Sequence, residues 1–149
     1  MSRLNPTKKT NTPIPVYQPS EMQIAIAFVD YVNKKHPNLA EDLIKIDNEN
    51  KCSAIEGMLK KKMGKRKGAS DYFFSRPKTK KLPENLGSND TEVVYFGLWL
   101  EIKAKKGKES AEQKAFGIRR LEQGYQYKCV FGLDEAIKEF EDYIEGNSR

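Results

Sequence analysis

The stretch from Val93 to Lys103, VVYFGLWLEIK, is the longest apolar, β-branched and aromatic run in the chain. A run of this composition predicts a buried strand, and its length predicts a central place in a sheet. The run ends in Glu101, Ile102 and Lys103. Because strand side chains alternate between two faces, Glu101 and Lys103 should point one way and Ile102 the other. A carboxylate and an ammonium group should therefore lie together at the polar end of an apolar strand.

The rest of the chain alternates between helical and extended patterns. Ser20 and Ser110 each open an S-x-x-Q sequence, the form of a capping box, and so predict two helix starts. The apolar residues of the second helix that we expect to face the protein interior are Ala111, Ala115, Ile118 and Leu121. Other predicted elements are strands at residues 43–46, 71–74 and 125–131, a short helix within 50–67 and a last helix at 134–144. This order predicts an α/β fold with a central mixed β-sheet flanked by helices.

The composition fits one domain with an apolar core and a polar surface. The chain has 149 residues, 38% of them hydrophobic, and a mean hydropathy of −0.76. No run approaches the length of about 18 apolar residues that a transmembrane helix needs, and residues 1–15 lack the apolar segment of a secretory signal. Cys52 and Cys129 lie far apart without a metal-binding motif, which predicts reduced thiols and an intracellular setting.

The charge of the chain is positive and unevenly spread. The net charge is +6 and the isoelectric point is near 9.2. Basic residues dominate 51–67, 76–81 and 103–108, whereas 134–149 is acidic. A basic middle with an acidic end is typical of a surface that binds phosphates, and Lys-rich solvated loops are the alternative explanation. The candidate DNA contacts are Lys60, Lys61, Lys62, Lys65, Arg66, Lys67, Lys105, Lys106 and Lys108.

The end of the predicted central strand could hold a metal ion. Glu101 and the Ile102 carbonyl offer oxygen ligands of the kind that Mg²⁺ prefers, and Lys103 could steady charge on a phosphate. One carboxylate binds a cation poorly, and Asp71, directly after the flexible residues 68–70, is the natural second ligand. Such a metal would act as a Lewis acid on a phosphodiester. By itself, the Glu-x-Lys pair is weak evidence for catalysis, and a surface ion pair of little energetic value is the alternative.

Four short sequences add a resemblance to a known family. They are Gly68–Asp71 (GASD), Gly97–Lys103 (GLWLEIK), Gly107–Gln113 (GKESAEQ) and Leu121–Tyr125 (LEQGY). In this order and spacing they resemble the VRR-NUC family, a branch of the PD-(D/E)XK nuclease superfamily. The resemblance extends from about Glu21 to about Ile144. It implies a restriction-endonuclease-like core and a metal-dependent phosphodiesterase activity.

The resemblance also implies a set of site residues. Asp71, Glu101 and Lys103 would form the catalytic triad, and Gln113 would support it. Glu21 would join Asp71, Glu101 and the Ile102 carbonyl at the metal. The residues that would line the site are Asn48, Glu49 and Ser70. Family members usually carry proline where Ser70 stands, a difference that affects the rigidity of the turn but not the metal ligand.

Several of these residues have structural alternatives that the sequence leaves open. Glu21 could simply favour the helix N-terminus through the helix dipole. Gln113 is also the third residue of a capping box, where its side chain would bond the cap backbone. Asn48 and Glu49 could merely end a strand.

The expected organisation is a flexible arm at residues 1–19, a nuclease domain at 20–146 with a basic loop insert at about 75–91, and a tail at 147–149. The expected activity is Mg²⁺-dependent, with Mn²⁺ as a substitute: a homodimer cleaves branched or junction DNA with little sequence preference. A small nuclease of this type would suit a phage gene acting in the host cytoplasm. The alternatives are a non-catalytic nucleic-acid-binding module of the same fold and a sequence-specific restriction-type endonuclease.

Overall fold

The computed structural model describes residues 16–47, 53–83 and 91–145. Within these ranges the helices are α1 (Glu21–Lys35), α2 (Ala54–Lys62), α3 (Ala111–Glu122) and α4 (Leu133–Glu145), with a short 3-10 turn at Ala40–Asp42. The strands are β1 (Leu43–Lys45), β2 (Tyr72–Phe74), β3 (Lys78–Lys81), β4 (Thr91–Tyr95), β5 (Leu98–Lys103) and β6 (Gln126–Phe131). Most of the arm, the residues Asn48 and Glu49, and the tail at 147–149 lie outside the described residues.

Four strands form a mixed sheet in the order β1-β2-β5-β6. β1 pairs antiparallel with β2, and β2 pairs antiparallel with β5. β5 pairs parallel with β6, and helix α3 connects these two strands along the chain. The predicted mixed sheet with flanking helices is confirmed, and β5 lies inside it as expected. The carboxyl end of β5 therefore faces the amino end of β2, which places Glu101 across from Asp71.

One face of the sheet packs against α1 and α4 and contains the apolar core. Phe28 of α1 and Phe140 of α4 meet edge to face, with ring centroids 5.7 Å apart, and both side chains are fully buried. Phe140 also contacts Phe74 of β2 at 5.0 Å between centroids. Every second residue of β5, including Ile102, points into this core as predicted from strand alternation.

The opposite face carries a second set of aromatic rings beneath α3. Trp99 lies 4.5 Å from Phe73 and 5.1 Å from Phe116, measured between ring centroids. Gly117 allows α3 to approach β6 closely, because a Cβ there would lie 2.4 Å from the Tyr127 ring. This close approach fixes the position of α3 over the face on which Glu101 lies.

The inward face predicted for α3 is wrong. Ile118 and Leu121 are 60% and 49% exposed, and Ala111 and Ala115 are exposed as well. The helix instead turns Phe116 and Gly117 toward the sheet. The reason is steric, since only the face with glycine can come within contact distance of Tyr127.

The single strand predicted from Val93 to Lys103 is divided in two. β4 ends at Tyr95, and the chain turns at Phe96 and Gly97 before β5 begins. A Cβ at Gly97 would lie 2.8 Å from the Phe74 carbonyl oxygen, so the backbones approach as closely as glycine permits. β4 does not pair with any strand of the central sheet.

The basic insert predicted as a loop at 75–91 also contains regular structure. Lys78–Lys81 forms β3, which pairs antiparallel with β4 in a separate two-stranded sheet. The sequence of Lys78–Lys81, KTKK, contains no apolar residue that would predict a strand. The strand forms by pairing with β4, which lies outside the central sheet. Residues 84–90 of the insert lie outside the described part of the chain.

The helix starts follow the predicted capping chemistry. Ser20 and Ser110 each form a complete capping box with a glutamine three residues later. A third box, formed by Ser53 and Glu56 at the start of α2, was not predicted. Across 16–47, 53–83 and 91–145, no helix is both long and apolar enough to cross a membrane.

Candidate active site

Two carboxylates from neighbouring strands meet at the polar end of the sheet. Asp71 directly precedes β2, and its Oδ2 accepts a hydrogen bond of 2.9 Å from the Ile102 backbone N–H. In an antiparallel pair, a residue directs its N–H and C=O toward the same neighbouring strand, so the Ile102 carbonyl faces the Asp71 side. The strand register thus brings together Asp71, Glu101 and the backbone of Ile102.

Glu101 is a buried carboxylate with one oxygen left unsatisfied. The residue is only 2% exposed. Its Oε1 accepts hydrogen bonds from Lys103 Nζ at 2.8 Å and from Gln113 Nε2. Its Oε2 is buried and has no hydrogen-bond partner in the structure. Burial, reinforced by the charge of Asp71 and opposed by Lys103, raises the pKa of Glu101 to about 7.

Lys103 lies beside these acids with 12% of its side chain exposed. Burial alone would lower its pKa, because desolvation disfavours an ammonium ion. The hydrogen bond and charge of Glu101, with the charges of Glu21 and Asp71, outweigh that effect and raise the pKa. Lys103 is therefore a permanent cation at neutral pH, suited to hold a negative charge rather than to accept a proton.

Gln113 makes the contacts that both of the predicted roles would need. Its Oε1 accepts from the Ser110 backbone N–H at 2.8 Å, and its backbone N–H donates to Ser110 Oγ at 3.2 Å. Its Nε2 donates to Glu101. The capping box thus fixes the amide in the orientation that directs its N–H toward the buried carboxylate.

Glu21 lies at the margin of this group, at the first position of α1. Its Oε1 accepts a long hydrogen bond of 3.4 Å from the Ala104 N–H. A Cβ at Gly107 would lie 3.2 Å from the same oxygen, so Glu21 covers the turn that follows β5. Its charge reaches Lys103. Ser70 is fully buried beside Asp71 in the chain.

The donors fit a hard divalent cation. The fit rests on Oε2 of Glu101, a buried oxygen without a hydrogen-bond partner. Burying such an anionic oxygen costs free energy, and a bound cation would offset that cost. Among the described residues, no three acidic, His or Cys side chains are grouped closely enough to form a cation site by themselves. The contacts described above bring together Asp71, Glu101 and the Ile102 backbone, and a metal-binding role for Glu21 stays a prediction.

The predicted DNA contacts form two clusters along the chain, one before Asp71 and one after Lys103. Lys60, Lys61 and Lys62 lie at the end of α2, and Lys65, Arg66 and Lys67 follow in the connection to Asp71. Lys105, Lys106 and Lys108 lie exposed between β5 and α3. Gly68 lies directly against α3, because a Cβ there would lie 2.8 Å from the Gln113 backbone nitrogen. The first cluster therefore ends against the first turn of α3.

Two neighbours of the site were not identified from the sequence. Lys45 of β1 places its Nζ 3.4 Å from Asp71 Oδ1. Cys129 of β6 is paired in register with Glu101, and burial raises the pKa of its thiol to about 12. The Cys129 thiol therefore stays protonated and is a poor nucleophile. No local pattern marks Lys45, since only the pairing of β1 with β2 brings it to Asp71.

Comparison with known proteins identifies the fold. No protein-family model matches the sequence, and no curated protein matches it. A solved structure of a VRR_NUC domain protein aligns with a TM-score of 0.66 and 17% sequence identity. The alignment covers 87% of this chain and 92% of that one. The chain has a restriction-endonuclease-like fold. At this identity the likeness extends to the architecture and not to individual residues.

Proposed function

We propose that the protein is a divalent-metal-dependent endonuclease that cleaves DNA. The observation that carries the proposal is the meeting of Asp71, Glu101, Lys103 and Gln113 at one end of the sheet, with a buried Glu101 oxygen left without a partner. Buried unsatisfied anions are costly, and they concentrate at functional sites. The similarity of the fold to a VRR_NUC domain protein supports the same conclusion.

The side chains have distinct parts in this chemistry. Asp71 and Glu101, with the Ile102 carbonyl, would hold Mg²⁺ or Mn²⁺, which would supply Lewis-acid stabilisation of charge on the scissile phosphate. The ammonium of Lys103 lies beside Glu101. There it would donate hydrogen bonds to the attacking water or to a phosphate oxygen. The Gln113 amide keeps the Glu101 carboxylate oriented. Glu21 modulates the charge around Lys103.

The two basic clusters supply binding to the DNA backbone. Exposed lysines contact phosphates without reading base edges, so this binding should be independent of sequence and weaken as salt rises. We infer a preference for branched or junction DNA and a homodimer, because a two-fold dimer would present two active sites for two symmetric cuts. We also propose an intracellular setting, in which the Cys129 thiol would stay reduced.

Cleavage of end-labelled DNA tests the proposal directly. A four-way junction, a flap, a linear duplex and a single strand are incubated with Mg²⁺, Mn²⁺ or EDTA. We expect cutting only with a divalent metal, and its loss in Asp71→Asn. Asp30→Asn is the matched control, because Asp30 is an exposed aspartate that also pairs with a lysine.

The same experiment separates the alternatives. DNA binding that persists in EDTA, without cleavage of any substrate in either metal, would indicate a non-catalytic binding module. Products of discrete length from random-sequence DNA would indicate a restriction-type enzyme. Equal cutting of linear single strands and junctions by a monomer would contradict the inferred substrate and assembly.

A further inference from the structure

Each carboxylate at the centre of the site already has an ammonium partner. Glu101 pairs with Lys103, and Asp71 pairs with Lys45. The two lysines differ in accessibility, with 12% of the Lys103 side chain exposed and 56% of the Lys45 side chain. Lys103 is thus enclosed, whereas Lys45 stands at the open edge of the sheet.

We propose that Lys45 is a phosphate-binding residue of the site, held on Asp71 until a divalent cation releases it toward the DNA strand. The inference rests on the proposed nuclease function and adds a substrate contact to it. Nothing in the local sequence marks Lys45, and its place beside Asp71 comes from the tertiary structure alone.

The backbone of β1 holds Lys45 in position. The Ile46 N–H donates a 2.8 Å hydrogen bond to the Asp71 carbonyl oxygen, so β1 ends directly beside the metal-binding aspartate. Lys45 pairs in register with Tyr72, and its Nζ lies 4.9 Å from the centroid of that ring. The aliphatic stem is thus supported while the ammonium group remains at the rim.

The two oxygens of Asp71 have different partners. Oδ2 is fixed by the Ile102 N–H inside the sheet, whereas Oδ1 faces Lys45 Nζ at 3.4 Å. A cation that binds Asp71 from the open side would take the place of the ammonium and repel it. The released ammonium is a compact, mobile charge on a flexible stem, suited to a phosphate oxygen next to the one being cleaved.

An ordinary surface ion pair would have the same distance but not the same consequences. Such a pair contributes little, and its removal affects neither metal nor metal-dependent DNA binding. A lysine that exchanges partners must instead produce two opposite effects. Its removal should strengthen metal binding, because a competing cation is gone, and should weaken DNA binding more strongly when metal is present than when it is absent.

Lys45→Met removes the charge and keeps an aliphatic side chain over Tyr72. Lys80→Met is the matched control, because Lys80 is 61% exposed in its side chain and pairs with Glu92 at 3.0 Å. Titration of the DNA-free proteins with Mn²⁺ by calorimetry gives the first readout. We expect Lys45→Met to bind Mn²⁺ about two- to fivefold more tightly than wild type, and Lys80→Met to be unchanged.

Binding to a labelled DNA duplex, in Ca²⁺ and in EDTA, gives the second readout. In EDTA both variants should lose affinity equally, since each removes one positive charge. In Ca²⁺ only Lys45→Met should lose about a further tenfold, the effect of one charge-assisted hydrogen bond.

Three results would overturn the proposal: unchanged or weaker Mn²⁺ binding in Lys45→Met, an affinity loss that is the same in Ca²⁺ and EDTA, or no Mn²⁺ binding by wild type. Failure of the nuclease function is a separate outcome, seen as absence of cleavage by wild type. Wild-type cleavage with an unchanged KM in Lys45→Met would refute only the role of Lys45.

Discussion

Replacing Glu101 with glutamine should stabilise the metal-free protein at pH 8 while removing its response to divalent metal. Glu101 is 2% exposed, and its pKa is about 7 in the folded chain against an ordinary value of 4.5. A carboxyl group whose pKa is higher in the folded state binds its proton more tightly there. Its contribution to stability is therefore fully present below pH 4.5 and is lost as the pH rises through about 7.

The size of the effect follows from the two pKa values. A difference from 4.5 to about 7, at about 1.4 kcal/mol for each pKa unit, corresponds to about 3 kcal/mol. Glutamine keeps the shape of the protonated acid and avoids the cost of the buried charge. We expect the free energy of unfolding in EDTA at pH 8 to rise by up to about 3 kcal/mol, or roughly 6–12 °C in Tm.

Urea and thermal unfolding in EDTA, at pH 4 and pH 8, measure the difference. Glu122→Gln, which alters an exposed glutamate at the end of α3, is the control and should be neutral at both pH values. The gain from Glu101→Gln should appear at pH 8 and vanish at pH 4. Mn²⁺ should raise the Tm of wild type but not of Glu101→Gln, because the metal stabilises only a folded state that binds it. If Glu101→Gln were less stable than wild type at pH 8, or if it changed stability equally at pH 4 and pH 8, Glu101 would not be a buried charge that lacks a cation.

Three further substitutions test how the site is supported. Gly117→Ala should lower the free energy of unfolding in urea by about 1–3 kcal/mol, because the added Cβ would overlap the Tyr127 ring and lift α3 from β6. Unchanged stability would contradict the close approach of α3 to β6 at Gly117. Gln113→Ala should lower kcat about tenfold or more, because the hydrogen bond to Glu101 is lost. It should also lower the free energy of unfolding by about 1 kcal/mol, because the helix cap is lost. A loss of stability with unchanged kcat would show that Gln113 acts only as a helix cap. Phe140→Ala should cost about 3–5 kcal/mol in the same unfolding assay without changing Mn²⁺ affinity, because it lies in the core away from the carboxylates.

The sequence was informative wherever structure depends on neighbours along the chain. The capping boxes at Ser20 and Ser110 set the starts of α1 and α3. Alternation along β5 placed Glu101 and Lys103 on one face, and their 2.8 Å contact bears this out. The sequence did not predict the strand break at Gly97, where the chain closely approaches the Phe74 carbonyl oxygen of another strand.

The amino-acid sequence by itself therefore determined the mixed α/β class, the main helix starts and the shared face of Glu101 and Lys103 at the end of β5. The reason is that periodicity and capping act over a few residues. Only the tertiary structure decided which side of α3 faces the sheet, because that depends on the fit of Gly117 against Tyr127. It alone showed that one Glu101 oxygen is buried without a partner. It alone brought Lys45 to Asp71, since that meeting follows from the register between β1 and β2, which hydrogen bonds between distant segments set.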